Sequence, residues 1–195
     1  MTTLILLGPP GAGKGTQAGR IADRYGVPAI STGEIFRSNI SKGTELGKLA
    51  QSFTDRGELV PDSVTNPMVR ERLEQDDAEG GFLLDGYPRN LDQAHVLADM
   101  LGEMDVDLDA VLEITADEEV LVQRMLKRAE EQHRADDTED VIRHRFEVYR
   151  EQTAPMSAYY REQGQLVSVD GIGTIEEVSE RILAALDEFI SARKG

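Results

Sequence analysis

A short aliphatic run, Thr3 to Leu7, stops abruptly at the glycine-rich stretch GPPGAGKGTQ, Gly8 to Gln17. A helical pattern follows from Thr16 to Tyr25, with Ala18, Ile21 and Ala22 on one face. An unbroken apolar run of this kind suits a strand buried on both faces of a parallel sheet. Gly8, Gly13 and Lys14 have the spacing of a phosphate-binding loop, and they stand between strand and helix as that motif requires. The physical reason is simple. Glycines allow a tight turn whose backbone N–H groups point inward, the following helix adds its positive dipole end, and Lys14 adds a point charge. One departure stands out: the strict motif has Ser or Thr directly after lysine, and here Gly15 precedes Thr16. Alone, the loop implies binding of a nucleoside triphosphate and does not separate kinase, GTPase and ATPase.

The rest of the chain repeats the alternation. Gly26 to Ile30 reads as a turn and a short strand, Phe82 to Leu84 as a strand ending at Asp85, Ala110 to Ile114 and Leu166 to Val169 as two more. Between them lie helical stretches at Glu34–Ile40, Glu45–Thr54, Ser63–Gln75, Leu91–Leu101, Asp117–Glu130 and Thr138–Tyr160, with Thr174–Ala192 closing the chain. Thr174 and Glu177 have capping-box spacing. Alternating strands and helices predict an α/β fold, a doubly wound parallel sheet with helices on both faces, which binds ligands at the carboxyl ends of its strands. The polar stretch Glu130 to Asp140 is compatible with a plain surface loop or a mobile flap.

At 195 residues the chain has room for one domain with small inserted lobes, not for two. No apolar run approaches the ~20 residues of a membrane helix, and the N-terminus lacks a signal-type pattern, so a cytoplasmic protein is expected. The absence of cysteine removes disulfides and thiolate metal sites. A formal net charge of −16 disfavours a nucleic-acid partner. It also sets a condition: a site for anionic nucleotides must gather its own cations.

Three ordered motifs carry a family resemblance: GPPGAGKGTQ at Gly8–Gln17, ISTGE at Ile30–Glu34 with Arg37, and FLLDGYPR at Phe82–Arg89. Together they resemble adenylate kinases, and the stretch Arg124–Arg145 resembles the lid region of the short-lid form, which lacks the larger insertion that sometimes carries a metal. The likeness runs from Leu4 into the last helix. It implies a single P-loop kinase domain over 1–195: a three-layer fold with a central parallel sheet flanked by helices, a small helical monophosphate-binding lobe at 31–60 that moves, and a short lid at 128–138. It implies a monomer acting on ATP, AMP and ADP with Mg2+, and no structural zinc.

Site residues follow from the same resemblance. Gly11, Ala12, Gly13, Lys14, Gly15 and Thr16 would hold the ATP phosphates; Arg124 would lie against the ATP base, Arg128 at its phosphates, and Gly173 would approach the base by its backbone. Thr32 and Gln93 would contact the adenine of AMP beside the backbone of Glu58, Leu59 and Val60. Gly86, Tyr87, Pro88 and Arg89 would line the AMP site, with Arg37 and Arg89 clamping the phosphate. Arg134 and Arg145 would bridge donor and acceptor phosphates. Lys14, Arg37, Arg89, Arg128, Arg134 and Arg145 would thus form the catalytic set.

This set suits the chemistry. Transfer between phosphates needs in-line positioning and charge neutralisation, and an anionic phosphate acceptor needs no general base. Arginine holds phosphate bidentately and stays charged. Asp85 ends a buried strand, where a carboxylate needs a partner. It is read either as an acid capping the next turn or, following the family, as a holder of Mg2+ through water with Thr16 nearby. Asp136-Asp137 is either a solvated pair or an ion-pairing element of the closed lid. His95, His133 and His144 are assigned no role, and the Tyr87-Pro88 bond is open between cis and trans. The rival readings are a UMP/CMP kinase, a regulatory GTPase and a catalytically inactive nucleotide sensor. Thr32 and Gln93 favour AMP, where pyrimidine enzymes tend to carry Ala and Asn. The GTPase lacks its guanine-reading Asn-Lys-x-Asp motif here.

Overall fold

The computed structural model describes residues 2–132 and 138–194. Five parallel strands form one sheet in the order β2-β3-β1-β4-β5: β1 Thr2–Leu7, β2 Ala29–Ser31, β3 Gly81–Asp85, β4 Ala110–Thr115 and β5 Leu166–Asp170. β1 lies at the centre and is buried from Thr3 to Leu7, as its aliphatic run requires. Its side chains alternate between faces. Leu4 and Leu6 pack with α1 (Lys14–Tyr25) and α9 (Ile175–Lys194), in a core that also takes Leu121 and Met125 of α6 (Glu118–Gln132) and Ile142 and Phe146 of α7 (Glu139–Val148). Ile5 and Leu7 face the other core, built with α4 (Asp62–Leu73), α5 (Leu91–Glu103) and α8 (Pro155–Glu162). The result is three layers.

The strand order places the site. After β1 the chain turns through α1 toward β2; after the adjacent β3 it turns through α5 across to β4. The two loops leave neighbouring strands in opposite directions and open a crevice at their carboxyl ends, as doubly wound sheets do. The Gly8–Gly13 loop and the Gly86–Asn90 loop form its two walls.

Beside the sheet, α2 (Thr32–Lys42) and α3 (Glu45–Thr54) form a lobe with a separate apolar cluster of Phe36, Ala50 and Val60, joined by Ile40, Leu46, Phe53 and Met68. The helices cross backbone to backbone at Gly47, where an added Cβ would stand 2.1 Å from the Asn39 carbonyl oxygen. Gly47 is therefore a packing glycine inside α3.

Two expectations need adjusting. Thr138–Tyr160 is not one helix. Between α7 and α8 the backbone widens into a π-helical turn, Tyr149–Thr153, closed by the Ala154 N–H donating to Tyr149 O at 2.8 Å. Pro155 has no N–H to continue the helical ladder and takes the first position of α8 instead. The helix after the glycine loop starts at Lys14 rather than Thr16, so Lys14, Gly15 and Thr16 are its first turn. The capping box appears as read. The Thr174 N–H donates to Glu177 Oε2 at 2.8 Å, and the Glu177 N–H to Thr174 Oγ1 at 3.2 Å. Among the described residues no helix is long and apolar enough to cross a membrane.

Candidate active site

A cavity of about 800 Å³ runs from the glycine loop to the α2–α3 lobe. At one end the first turn of α1 presents N–H groups that have no partners within the helix. Gly11 lies in the left-handed region at φ 78°, and a Cβ there would come within 2.8 Å of Met125 Cγ. The loop thus needs glycine both for its turn and for its closeness to α6. Lys14 folds back over the loop, its ammonium donating to Gly8 O at 2.8 Å and Pro9 O at 3.0 Å. Burial pushes its pKa down to about 8; Asp85 opposes the shift, and Arg89 and Arg128 add to it.

The other end is made of side chains. Thr32, 2% exposed, donates its hydroxyl to Gly86 O at 2.9 Å. Arg89 is held along its whole length. Its N–H donates to Gln93 Oε1 at 2.7 Å, its Nε to Gly86 O at 2.8 Å, and its carbonyl accepts from Thr153 Oγ1 at 2.6 Å. Its pKa lies below the ordinary arginine value because of burial, with Asp85 opposing and Arg145 and Arg37 adding repulsion. Arg37, Arg89, Arg128 and Arg145 all line the cavity. Cations repel one another across this space while Asp85, 8% exposed at the end of β3, is the carboxylate that counters both Lys14 and Arg89. Such an arrangement favours an anion between the cations.

Most residues singled out from the sequence converge here. Gly11, Gly13, Gly15, Thr16, Glu58, Leu59, Val60, Asp85, Gly86, Pro88 and Gln93 line this cavity. The Glu58 carboxylate is paired with Arg56, 2.9 Å away. A second cavity of about 350 Å³ adjoins the loop and is lined by Ala12, Arg124, Gly171 and Gly173, with the Arg124 guanidinium donating to Gly171 O at 3.4 Å. Tyr87 departs from the set. Its side chain is fully buried in the core and its hydroxyl donates to Asn66 Oδ1 at 2.8 Å, so it offers the cavity no side-chain group. The Tyr87-Pro88 bond is cis. Arg134, His133 and the Asp136-Asp137 pair lie outside the described residues. Among the described residues no group of three or more His, Asp or Glu side chains is placed to hold a metal by itself. The donors near the phosphate loop are the Thr16 hydroxyl and the Asp85 carboxylate, hard oxygen ligands of the kind Mg2+ takes in small number alongside phosphates.

The sequence reading missed Asp62, Asn90 and Thr153. Asn90 carried a signal: it stands three residues before Gln93, and it caps α5 by accepting the Gln93 N–H at 2.8 Å. Thr153 carried none, because only the π-helical turn aims it at Arg89.

A P-loop facing a second, arginine-lined pocket on the same parallel sheet is the arrangement of a phosphotransferase of the nucleoside monophosphate kinase class. A family model described as adenylate kinase matches residues 6–165. The chain is 61% identical over 187 residues to an adenylate kinase of Kocuria rhizophila, covering 96% of this chain and 100% of that one. It is 56% identical over 183 residues to one from Thermobifida fusca, covering 94% and 97%. With one from Leifsonia xyli subsp. xyli it shares 55% over 185 residues, covering 95% and 93%. The chain belongs to the adenylate kinase family. Members of this family bind ATP, AMP and ADP, and use the nucleotide as its Mg2+ complex.

Proposed function

We propose that this protein transfers the γ-phosphoryl group of Mg-ATP to AMP, reversibly, giving two ADP. The observation that carries the reading is the single cavity joining the glycine loop to a pocket lined by Thr32, Arg37, Arg89 and Gln93. The glycine loop and Lys14 hold the donor phosphates, with the ATP base in the cavity beside Arg124 and Gly173. Arg37 and Arg89 clamp the AMP phosphate, whose oxygen is the nucleophile and needs no proton removed. Arg128, Arg145 and Arg134 neutralise charge on the transferring group. Thr16 and Asp85 would hold the magnesium ion through water. When bound, Mg2+ supplies neutralisation of the phosphate oxygens.

Water is a competing acceptor, so the 31–60 lobe and the 128–138 lid close before transfer. The lobe's own apolar cluster, which meets the main core at Met68, supports its moving as a unit. The protein works as a cytoplasmic monomer, with no nucleic-acid or membrane partner and no structural zinc; a chain without cysteine lacks the usual ligands of such a zinc.

Initial rates of ADP formation with Mg-ATP and each of AMP, GMP, UMP and CMP test this. The expected result is a strong preference for AMP, lost on chelating magnesium. Preference for UMP or CMP would overturn the roles of Thr32 and Gln93. ATP binding without transfer to any acceptor would make the protein a nucleotide sensor.

A further inference from the structure

Asp62 opens α4 at the base of the small lobe. Its Oδ1 accepts from Gln93 Nε2 at 2.8 Å and from Asn90 Nδ2 at 3.2 Å. The opposite end of the Gln93 amide, Oε1, accepts the Arg89 N–H at 2.7 Å. A carboxylate can only accept and a backbone N–H can only donate. Flipping the Gln93 amide would set oxygen against carboxylate and NH2 against N–H, losing both bonds. Gln93 is 1% exposed, so there is little room for water to replace them. Asn90 reinforces the same sense, since its Oδ1 is already committed to the Gln93 N–H.

We propose that Asp62 is a specificity-determining positioning residue, which locks the Gln93 amide in the one orientation that reads a 6-amino purine and rejects a 6-oxo purine. The inference rests on the reading of Gln93 as the contact to the acceptor base. The locked amide keeps one free N–H proton at Nε2 and one free lone pair at Oε1. Adenine offers the complement: an acceptor at N1 and a donor at its 6-amino group. Hypoxanthine, nearly identical in size, reverses both, with a proton on N1 and an oxygen at position 6. An amide free to flip would serve either base; a locked one leaves hypoxanthine with two mismatched polar contacts, which buried sites penalise heavily. The simpler role for Asp62, an acid in the first turn of a helix, would affect stability and not the choice of base.

The test is the ratio of kcat/KM for AMP to that for inosine monophosphate, with Mg-ATP as donor. It is measured in the natural protein, Asp62→Ala, Asp62→Asn, Gln93→Ala and the Asp62→Ala/Gln93→Ala double variant, with melting curves for each. Asp62→Ala is expected to lower the ratio at least about tenfold, through a higher KM for AMP and a lower one for inosine monophosphate rather than through kcat. Asp62→Asn, which keeps an acceptor oxygen of the same reach, recovers most of the loss. In the Gln93→Ala background, Asp62→Ala changes the ratio by less than about twofold, because the two act as one unit. Asp62→Ser keeps a polar helix start but cannot reach Gln93, and is read the same way should the alanine variant not fold. An unchanged ratio in Asp62→Ala and Asp62→Ser, beside a collapsed one in Gln93→Ala, removes the lock and leaves the reading of Gln93 standing. An effect of Asp62→Ala that persists undiminished without Gln93 also removes it. A ratio indifferent to Gln93→Ala removes both.

Discussion

On the proposed reading, the part of the donor end that holds the phosphates is built mainly of backbone and is contiguous in sequence: Gly8 to Thr16 form one turn between one strand and one helix, with Lys14 as its charged side chain, and Arg124, Arg128 and Gly173 join it from later in the chain. The acceptor end is made of side chains from Thr32 to Arg145, carried on α2, the Gly86–Asn90 loop, α5 and α7. The donor loop is anchored to the central strand and the main cores. The acceptor pocket leans on one side on a small cluster around Phe36, Ala50 and Val60, and on the other, through the Gly86–Asn90 loop and α5, on the second main core. Backbone recognition reads phosphates, which all nucleotides share; side-chain recognition reads a base. On the proposed reading, the division assigns general affinity to the donor end and choice of acceptor to the other.

The largest expected effect separates chemistry from binding at the donor end. Lys14→Met should lower kcat by about 10³-fold or more, the scale of losing a charge that stabilises the transferring phosphoryl. Its melting temperature should hold or rise, because the ammonium is disfavoured by burial. Single-turnover kinetics and thermal melting check both halves; turnover near the natural rate would sink the mechanism. Next comes Gly86→Ala at the acceptor end. Gly86 has φ 83°, and a Cβ would stand 2.7 Å from Thr32 Oγ1 and 3.1 Å from Arg89 Nη2. The left-handed backbone alone costs a non-glycine residue about 1–2 kcal/mol. Displacing Thr32 and Arg89 should raise the KM for AMP by about tenfold or more, with little change in ATP affinity by calorimetry. Equal losses for ATP and AMP would break the comparison, since the two ends would then be one coupled site.

The same contrast explains what could be read beforehand. The glycine loop, the strands and the Thr174–Glu177 capping box depend on neighbours within a few residues, and each appears where the pattern puts it. Arg37 and Arg89 were reachable only through the motifs around them, because an arginine in isolation looks like any surface cation. Asp62 and Thr153 meet their partners across 31 and 64 residues of chain. Neither spacing nor periodicity encodes such a meeting. The break between α7 and α8 was legible in principle at Pro155, but the apolar positions on both sides keep helical spacing and mask it.

The smallest effect is one of pH, and it should fall on one end only. In the empty site Lys14 has its pKa lowered to about 8 by burial, so its charge is lost as pH rises through that value. Bound phosphates favour the charged form and raise the pKa again. ATP binding near pH 8.5 should therefore take up a fraction of a proton, and affinity should weaken as pH rises from about 8, by no more than about tenfold per unit. Below about pH 7 both states of Lys14 are protonated and its contribution to the dependence vanishes. The acceptor end has no counterpart. Burial lowers Arg89 too, but guanidinium remains charged throughout this range. The phosphate of AMP loses its last proton with a pKa of about 6, so it is fully ionised near pH 8.5. Calorimetry in two buffers of different ionisation enthalpy should show proton uptake for ATP, none for AMP, and none for ATP with Lys14→Met. Proton uptake on AMP binding of the same size would mean that Lys14 serves both phosphates in the ground state. The line between a backbone-built donor end and a side-chain-built acceptor end would then have to be drawn beyond Lys14, at the glycines themselves.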